Sequence, residues 1–426
     1  MSRINPRALA LLAVAAFLLR LGVATLTERH PLFPDYYYTD AHLMNAASLS
    51  VMDRLARGEG YYYNATLGQR TQVLVQTSVY RLLGVHPFAM KALNCILGAA
   101  AVAALAAAAA TAFSPPAALM AAALFAVWPS NVFYTSQNFK EAPNALLVLL
   151  ALCCLLPLSA GKEGRRGDSL LAAAGALFLL GAGFYRSYVM LTVVAALAAS
   201  FVFAAVARRT SPRRIFLGLT AALSVPLLYH PVASLAAARL MGGNQNEDLR
   251  SDPVLVPVTY DETSEHVYAP TSPRAISEFR RLRQKIDRDV AVKLSAREIA
   301  TQLFPDARFE TWFDVLAFLP KASFYVAFMP LPGLYPIDGK LGRAAASFEN
   351  LLLLALAGLA AAGALRGPRT PARLAMLLFF AMMTAGSALL EFDLGSAGRH
   401  KLLYLPMLFP FAAEEIFRLL GRKEPA

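Results

Sequence analysis

The chain has 426 residues, of which 57% are hydrophobic and only 16% are charged, and its mean hydropathy is +0.48. A soluble domain usually carries about 25% charged residues, so this composition excludes an ordinary water-soluble protein and indicates lipid as the solvent. The net charge of +12 does not indicate a nucleic-acid partner, because the basic residues fall in short loops between apolar runs. We therefore expect an integral membrane protein.

Long apolar runs recur along the chain and predict an all-α, polytopic membrane protein. A helix of about 20 apolar residues crosses a hydrocarbon core of about 30 Å, and about ten runs meet that requirement. The predicted spans are 8–26, 90–112, 117–134, 143–160, 169–185, 188–207, 215–233, 350–366, 373–391 and 402–420. The first run is longer than the core of a typical signal peptide and precedes no obvious cleavage site, so we expect it to be retained.

The basic residues divide unevenly between the two sides of this topology. One side holds fifteen: Arg3, Arg7, Lys162, Arg165, Arg166, Arg208, Arg209, Arg213, Arg214, Arg366, Arg369, Arg373, Arg418, Arg422 and Lys423. The short loops on the other side hold four: Lys140, Arg186, Arg399 and Lys401. Because Lys and Arg concentrate in cytoplasmic loops, this bias predicts cytoplasmic termini. The Ala- and Arg-rich composition suggests a bacterial inner or plasma membrane.

The first long outer loop, residues 27–89, begins with two carboxylates and continues as two predicted helices. After Asp40, apolar residues recur at near-helical spacing, which predicts a helix lying on the membrane surface. These residues are Leu43, Met44, Ala47, Val51 and Leu55. Gly58 and Gly60 are expected to end that helix, and residues 71–83 are expected to form a second surface helix.

The second long outer loop, residues 236–349, is predicted to contain an amphipathic helix and an interfacial segment. The helix starts at Pro273 and reaches about Phe304, with apolar residues three and four positions apart. The apolar run 312–336 is interrupted by prolines, and counting it as a span would reverse the sidedness of everything after it. We therefore expect that run to be interfacial or re-entrant. The predicted parts of the chain are a transmembrane module 1–233, an extracytoplasmic segment 234–349 and a three-helix module 350–426.

Two carboxylates follow the first span, in the stretch Phe33-Pro34-Asp35-Tyr36-Tyr37-Tyr38-Thr39-Asp40-Ala41-His42. A transferase that acts on a hydroxyl needs a group to accept its proton, and general-base catalysis contributes about 10²–10⁴-fold in rate. Asp35 and Asp40 are therefore candidate catalytic residues at the membrane boundary. Asp40 could instead cap the helix that follows, and a divalent cation near the two carboxylates is a further alternative.

A very short outer loop between two predicted spans contains the adjacent residues Lys140 and Glu141. In the functional interpretation, Lys140 meets a phosphate while Glu141 orients a sugar or holds the lysine. In the structural interpretation, Glu141 simply occupies the first turn of the next helix, where a negative charge is favoured.

Further cations lie on the outer side, against the general trend. A lipid phosphate would explain Arg399-His400-Lys401, since Arg and Lys are the phosphate-binding side chains; anchoring to anionic head groups is the alternative. Arg186 follows an apolar span and either anchors the interface or binds phosphate. Arg20 lies inside the first span, where a charged residue faces protein or water in a functional position, or snorkels to the surface.

Taken together, these motifs resemble the GT-C superfamily of integral-membrane glycosyltransferases, which includes protein O-mannosyltransferases and bacterial aminoarabinose transferases. The resemblance covers most of residues 1–230 and the last three predicted spans. It rests on Asp35 and Asp40, the surface helices after them, Tyr80-Arg81-Leu82-Leu83-Gly84 before a span with Asn94, Trp128-Pro129-Ser130 leading to Lys140-Glu141, the long late outer loop, and Arg399-His400-Lys401 ahead of Pro406. One departure is that the two acids are five residues apart, whereas the family often has adjacent acids.

The resemblance implies an inverting transfer of a sugar from a polyprenyl-phosphate carrier to a hydroxyl of a glycan, lipid or protein, on the extracytoplasmic face. It implies Asp40, with Asp35 as second choice, as the catalytic base, and Glu141 as a residue that positions donor or acceptor. The implied ligands of the carrier are Lys140, Arg186, Arg399, His400 and Lys401. No cofactor is expected with certainty.

Three other roles are compatible with the sequence, and one of them is a purely structural partner subunit. A polysaccharide polymerase or ligase would use a diphosphate-linked glycan and would depend on the outer arginines more than on Asp40. A transporter of lipids or solutes would carry charged and Gly/Pro-interrupted positions at mid-membrane depth. Apart from Arg20, however, the charges gather at the surfaces, which favours an enzyme.

Overall fold

The protein is all-helical in the part of the chain that its computed structural model describes, which confirms the predicted fold class. The described residues are 4–30, 39–61, 63, 66–160, 167–240, 272–281, 284, 302–335, 341–391 and 393–421. Their longer helices are α1 Pro6–Arg29, α2 Thr39–Ala56, α3 Leu67–Leu83, α4 Pro87–Ala109, α5 Pro115–Val127, α6 Pro129–Ser136, α7 Glu141–Leu155, α8 Asp168–Tyr185, α9 Ser187–Val206, α10 Pro212–Leu240, α11 Trp312–Phe328, α12 Leu341–Arg366, α13 Pro371–Leu390, α14 Leu394–Tyr404 and α15 Phe409–Leu419.

Local sequence explains where these helices begin. A proline occupies the first turn of α1, α4, α5 and α6, where its missing N–H is not needed for an intrahelical bond. Thr66 caps α3 in a reciprocal arrangement with Gln69. Glu141 and Asp168 stand in the first turns of α7 and α8, where the helix dipole favours a negative charge.

Among the described residues, eight helices are long and apolar enough to cross a membrane: α1, α4, α7 with the 3₁₀ turn that follows it, α8, α9, α10, α12 and α13. The pair α5 and α6, bent by 61° at Trp128-Pro129, adds a ninth if it is counted as one span. Nine of the ten predicted spans therefore correspond to these elements.

The predicted tenth span, residues 402–420, is not a single helix. Helix α14 ends at Tyr404, a 3₁₀ turn covers Leu405–Met407, and the eleven-residue α15 follows. Pro406 and Pro410 account for the interruption, because each removes a backbone donor and cannot continue a preceding helix undisturbed. The buried segment is thus broken where the hydropathy pattern indicated continuity.

Both helices predicted in the first outer loop are present. Helix α2 buries Met44, Ala47 and Val51 in a cluster with Val73 of α3. These three α2 residues are among the positions whose spacing predicted the helix. It is followed by Gly58 with a φ of +78° and Gly60 with a φ of +79°, a conformation that glycine adopts readily. Helix α3 begins four residues earlier than predicted because Thr66 caps it.

By internal contacts the chain divides into two compact units. The first contains Met1–Asn244, Leu354–Phe380 and Leu402–Ala426, and the second contains Gln245–Leu353 and Ala381–Lys401. In the first unit, α4 packs against α1, α5 and α7, and α8 packs against α7, α9 and α10. Its C-terminal segments join this core through Trp128 and Phe409, whose ring centroids are 5.2 Å apart.

The second unit is organised around a buried arginine. Residues 273–281 are helical, so the described part confirms the predicted start of the amphipathic helix at Pro273. Residues 302–304 are described and are not helical, so the predicted end near Phe304 is wrong; residues 285–301 lie outside the described part. Arg280 of this helix is fully buried, and its guanidinium donates to the carbonyl oxygens of Leu303, Phe304, Leu389 and Glu391 at 2.9–3.1 Å. Burial lowers the pKa of Arg280 to about 10, which leaves it protonated at neutral pH.

The apolar run after residue 311 forms α11, whose 17 residues pass through Pro320. It is shorter than the helices that meet the length requirement for a span. Its predicted interfacial or re-entrant position stays a prediction.

Candidate active site

Asp40 lies in the first turn of α2, half-buried, and Asp35 lies outside the described residues. The residue that follows Asp40, Ala41, packs against a cluster formed by Phe133 and Phe139. Phe139 immediately precedes Lys140. The start of α2, which carries the predicted base, is thus in contact with the segment that leads to the predicted phosphate ligand.

The bend between α5 and α6 directs the chain toward that segment, and Arg20 stabilises it. The Arg20 side chain is fully buried. Its Nη1 donates to the carbonyl oxygen of Ala126 at 3.1 Å, before the bend, and its Nε donates to Oγ1 of Thr135 at 2.8 Å, after the bend. Of the two interpretations of Arg20, the structure supports a residue facing protein, and the contacts give it a role in holding the bend.

Side-chain amides fix the backbone of the α6–α7 loop, residues 137–140. Asn94 of α4 donates from Nδ2 to the carbonyl oxygens of Gln137 at 2.6 Å and Phe139 at 2.9 Å. The Gln137 amide in turn donates to Oγ1 of Thr27 at 2.9 Å. Because buried backbone carbonyls need hydrogen-bond donors, these contacts hold the loop in one conformation.

A buried ion pair joins this loop to the turn between α8 and α9. Glu141 and Arg186 are 1% and 8% exposed, and Nη2 of Arg186 donates to Oε1 of Glu141 at 2.6 Å. Nη1 of Arg186 donates to the Tyr188 hydroxyl at 2.9 Å. Arg186 is therefore held by partners within the protein, and its two interpretations, as an interfacial anchor and as a phosphate ligand, stay predictions. Glu141 has the position at a helix N-terminus that its structural interpretation predicted, and it also has a specific cationic partner.

The N-terminal part of α3 packs against the same region. Oγ1 of Thr71 contacts the carbonyl oxygen of Phe184 at 3.3 Å. Gly68 approaches α8 so closely that a Cβ at this position would overlap the carbonyl group of Tyr185 and lie 3.6 Å from Nζ of Lys140. Lys140, which is half-buried, thus extends along the contact between α3 and the end of α8.

These contacts bring three of the predicted site residues together: Lys140, Glu141 and Arg186. Lys and Arg are the side chains that bind phosphate in proteins, so the region has the residue types that a phosphate ligand needs. The adjacent start of α2 adds the carboxylate of Asp40, which can accept a proton at the edge of this region.

The second predicted cation cluster belongs to the second unit. Nδ1 of His400 pairs with the carboxylate of Glu391. Lys401 is buried, and its ammonium group donates to the carbonyl oxygen of Ala327 at 3.0 Å and to Oδ1 of Asn350 at 2.8 Å. Burial lowers the pKa of Lys401 to about 8, opposed by the charge of Glu349. His400 and Lys401 thus have partners within the protein; lipid-phosphate binding by them and by the half-buried Arg399 stays a prediction.

A metal site made by protein side chains is not evident in the described part of the chain, where no group of three or more His, Cys, Asp or Glu residues could hold an ion. Asp35 is outside that part. The divalent cation near Asp35 and Asp40 therefore stays a prediction.

The comparison with protein-family models adds to the helical architecture and the charged residues described above. Residues 73–232 match the family model described as dolichyl-phosphate-mannose-protein mannosyltransferase. This segment contains Lys140, Glu141 and Arg186. The match confirms the resemblance to GT-C-type membrane glycosyltransferases that the sequence indicated.

Two other comparisons complete the findings. Among solved structures, the oligosaccharyltransferase of Archaeoglobus fulgidus in its apo form is similar at 12% sequence identity, with a TM-score of 0.46. The similarity covers 96% of this chain and 51% of that protein, so the chain spans about half its length. No curated protein sequence matches the chain.

Sequence reasoning named the charged residues of the site but assigned no role to the amides around them. Gln72, Gln76 and Asn138 are buried and hydrogen-bonded together, and Asn94 was noted only as part of the resemblance. One pattern could have identified two of them, since Gln72 and Gln76 are four residues apart on one face of a predicted helix.

Proposed function

We propose that the protein transfers a sugar from a polyprenyl-phosphate carrier to an acceptor hydroxyl, on the extracytoplasmic face of the membrane, with both termini in the cytoplasm. The observation that carries this proposal is the contact of the Asp40 end of α2 with the loop that carries Lys140 and Glu141, next to the buried Glu141–Arg186 pair. The proposed base thus lies close to the proposed ligands of the phosphate.

In this mechanism Asp40, with Asp35 as second choice, accepts the proton of the acceptor hydroxyl. The hydroxyl oxygen attacks the anomeric carbon from the face opposite the phosphate, and the bond between that carbon and the phosphate oxygen breaks. The leaving phosphate takes the bonding electron pair, and the configuration at the carbon inverts. Proton transfer to a positioned carboxylate contributes about 10²–10⁴-fold.

Lys140 and Arg186 act on the leaving group. As the glycosidic bond breaks, negative charge grows on the carrier phosphate, and fixed cations in a site with little water stabilise that charge more in the transition state than in the ground state. Glu141 orients the guanidinium of Arg186. Arg399, His400 and Lys401 stay proposed as further contacts of the carrier.

The comparison with protein families supports a membrane glycosyltransferase and does not identify the donor of this chain. The matched family model names dolichyl-phosphate-mannose as the donor of its own members, and a polyprenyl-phosphate donor is the corresponding inference for this chain. The extracytoplasmic position of the site rests on the distribution of basic residues along the sequence.

The test is a transfer assay with purified protein in liposomes and a panel of radiolabelled polyprenyl-phosphate sugars. Wild type should release label from one carrier to water or an acceptor, and Asp40→Asn should lose at least about 10²-fold of that rate. Asp53→Asn is the matched control, because Asp53 lies on the same helix, exposed and paired with Arg57 at 2.8 Å. Unchanged turnover in Asp40→Asn would refute the assignment of Asp40, and a loss in Asp35→Asn would then transfer the role to Asp35.

Two further arms define the donor and the metal requirement. Turnover only with diphosphate-linked glycans would replace the proposal with a polymerase or ligase. Loss of turnover with a chelator, restored by a divalent cation, would establish the ion near Asp35 and Asp40; full activity in chelator would exclude a readily removed ion. Transport of label across the liposome without cleavage of the carrier would indicate a transporter.

A further inference from the structure

Five buried or half-buried polar side chains connect α2, which carries Asp40, to the α6–α7 loop, which carries Lys140. None of the five has a part in the mechanism above. Three of them, Gln72, Gln76 and Tyr80, lie four residues apart along one face of α3. The other two are Asn45 of α2 and Asn138 of the α6–α7 loop. We call this set the amide network.

The network is continuous from the loop to α2. Nε2 of Gln72 donates to Oδ1 of Asn138 at 3.2 Å, and Nδ2 of Asn138 donates to Oε1 of Gln76 at 2.8 Å. Nε2 of Gln76 donates to the Tyr80 hydroxyl at 2.7 Å and to Oδ1 of Asn45 at 3.2 Å. The Tyr80 hydroxyl donates to the same Asn45 oxygen at 2.5 Å.

Burial makes this arrangement specific. Gln72 and Gln76 are fully buried, Tyr80 is 1% exposed and Asn138 is 5% exposed. A side chain displaced from the network would have no water nearby to bond to. Because a buried amide without a partner costs free energy, the observed arrangement is favoured over others. Asn138 uses both of its polar atoms within the network, and so does Gln76.

The ends of the network adjoin the proposed chemistry. Asn138 is two residues before Lys140, and Asn45 is five residues after Asp40. The loop backbone on either side of Asn138 is held separately by Asn94. A displacement of α3 or of the loop would therefore change where α2 holds Asp40 relative to Lys140.

We propose that the amide network sets the position of Asp40 relative to Lys140, with Gln76 and Asn138 as positioning residues. This inference rests on the proposed function. Its physical basis is that transfer requires the base and the phosphate-binding group on opposite sides of one reacting carbon, and a misplacement of about 1 Å can lower a rate by about 10²-fold.

The test compares Asn138→Asp and Gln76→Ala with Ser200→Ala. Asn138→Asp keeps the size of the side chain but loses the donor to Gln76. Ser200 is also buried in the first unit and loses one hydrogen bond, at 2.7 Å to the Pro371 carbonyl, far from the network in sequence. Turnover per folded protein should fall about 10²-fold in the two network variants and stay at the wild-type value in Ser200→Ala.

A second background separates positioning from a general loss of stability. If Asn138 acts through the placement of Lys140, adding Asn138→Asp to Lys140→Ala should change turnover by no more than about 2-fold, whereas independent effects would multiply. Multiplication in this background, or network variants that lower only the amount of folded protein, would overturn the inference while the proposed function stands.

Hydrogen exchange gives a readout that does not depend on activity. Peptides covering residues 43–48 and 136–144 should exchange faster in Asn138→Asp and Gln76→Ala than in wild type, and should not change in Ser200→Ala. If wild type transfers no sugar, the proposed function fails and the exchange rates still decide whether the network holds these segments. Unchanged exchange in both peptides would overturn the inference directly.

Discussion

Helix α8 carries a buried arginine–carboxylate pair at each end, and the two pairs differ in how they use the arginine. At the N-terminal end, Arg214 donates from Nε and Nη2 to both oxygens of Asp168, at 2.8 and 3.0 Å, and from Nη1 to the Ala160 carbonyl at 2.5 Å. At the C-terminal end, Arg186 divides its donors between the Glu141 carboxylate and the Tyr188 hydroxyl.

The helix dipole favours the carboxylate of each pair. Asp168 and Glu141 stand in first turns, where negative charge is favoured, and Arg186 directly follows the last turn of α8, where positive charge is favoured. With 18 residues, α8 separates the pairs by about 27 Å, which is close to the thickness of a hydrocarbon core. The same electrostatic rule therefore operates on both sides of the proposed membrane.

The surroundings give the two pairs different roles. The Asp168–Arg214 pair is bidentate, a third nitrogen of Arg214 donates to the Ala160 carbonyl, and the pair joins α8 to α10. The Glu141–Arg186 pair instead lies next to Lys140 in the chain, beside the loop that contains Asn138 of the amide network. The comparison predicts a structural role for the Asp168–Arg214 pair and a role in substrate binding for the Glu141–Arg186 pair.

The largest effect is expected from breaking the Asp168–Arg214 pair. Arg214→Ala leaves the Asp168 carboxylate buried without its bidentate partner and should destabilise the protein by about 3–5 kcal/mol. The measurement is the folded fraction in detergent, by fluorescence-detected size exclusion after heating. Turnover per folded molecule should stay at the wild-type value, and a loss of turnover in that fraction would remove the distinction between the two pairs.

Arg186→Ala sharpens the comparison from the other end. Removing a cation that stabilises the leaving phosphate should lower turnover per folded protein by about 10²–10³-fold. Arg186→Lys should recover part of that loss, because charge is restored without the planar geometry of the guanidinium. Arg213→Ala, an exposed neighbour of Arg214, serves as the control and should be neutral. Wild-type turnover in folded Arg186→Ala would assign this pair a structural role like that of Asp168–Arg214.

Gly68→Ala should have the smallest effect. The added methyl group overlaps the Tyr185 carbonyl, so α3 must shift away from α8, at a cost of about 1–3 kcal/mol and with a several-fold loss of turnover. Gly22→Ala is the matched control, since a Cβ there meets no atom within 4 Å and alanine favours a helix by about 1 kcal/mol over glycine. Equal behaviour of the two variants in thermal unfolding would contradict the close packing of α3 on α8.

Hydropathy and periodicity were sufficient for much of the fold. The spacing of Met44, Ala47 and Val51 predicted α2, and the glycines after it marked its end. They were insufficient at 402–420, where the apolar content of the segment indicated a span and the two prolines divided it. Hydropathy measures transfer to lipid, whereas continuity of a helix depends on the backbone donors that proline lacks.

The candidate site divides in the same way. Lys140, Glu141 and Arg186 were identified because charges in short outer loops are conspicuous in an apolar sequence. The pairing of these residues was not predicted. Glu141 was expected to orient a sugar or to hold Lys140, and in the structure it accepts a hydrogen bond from Arg186. The role of Lys401 at a lipid phosphate stays a prediction, and the sequence did not indicate its contacts with Ala327 and Asn350.

By itself, the sequence determined the membrane environment, the helical class and the residues at which most helices begin, because these depend on composition and on interactions within a few residues. Only the tertiary structure decided which charges meet and which amides connect. The Glu141–Arg186 pair spans 45 residues and the Arg20–Thr135 contact spans 115. Contacts of that range depend on how whole helices pack, and a local pattern of residues holds no information on the direction of a distant helix face.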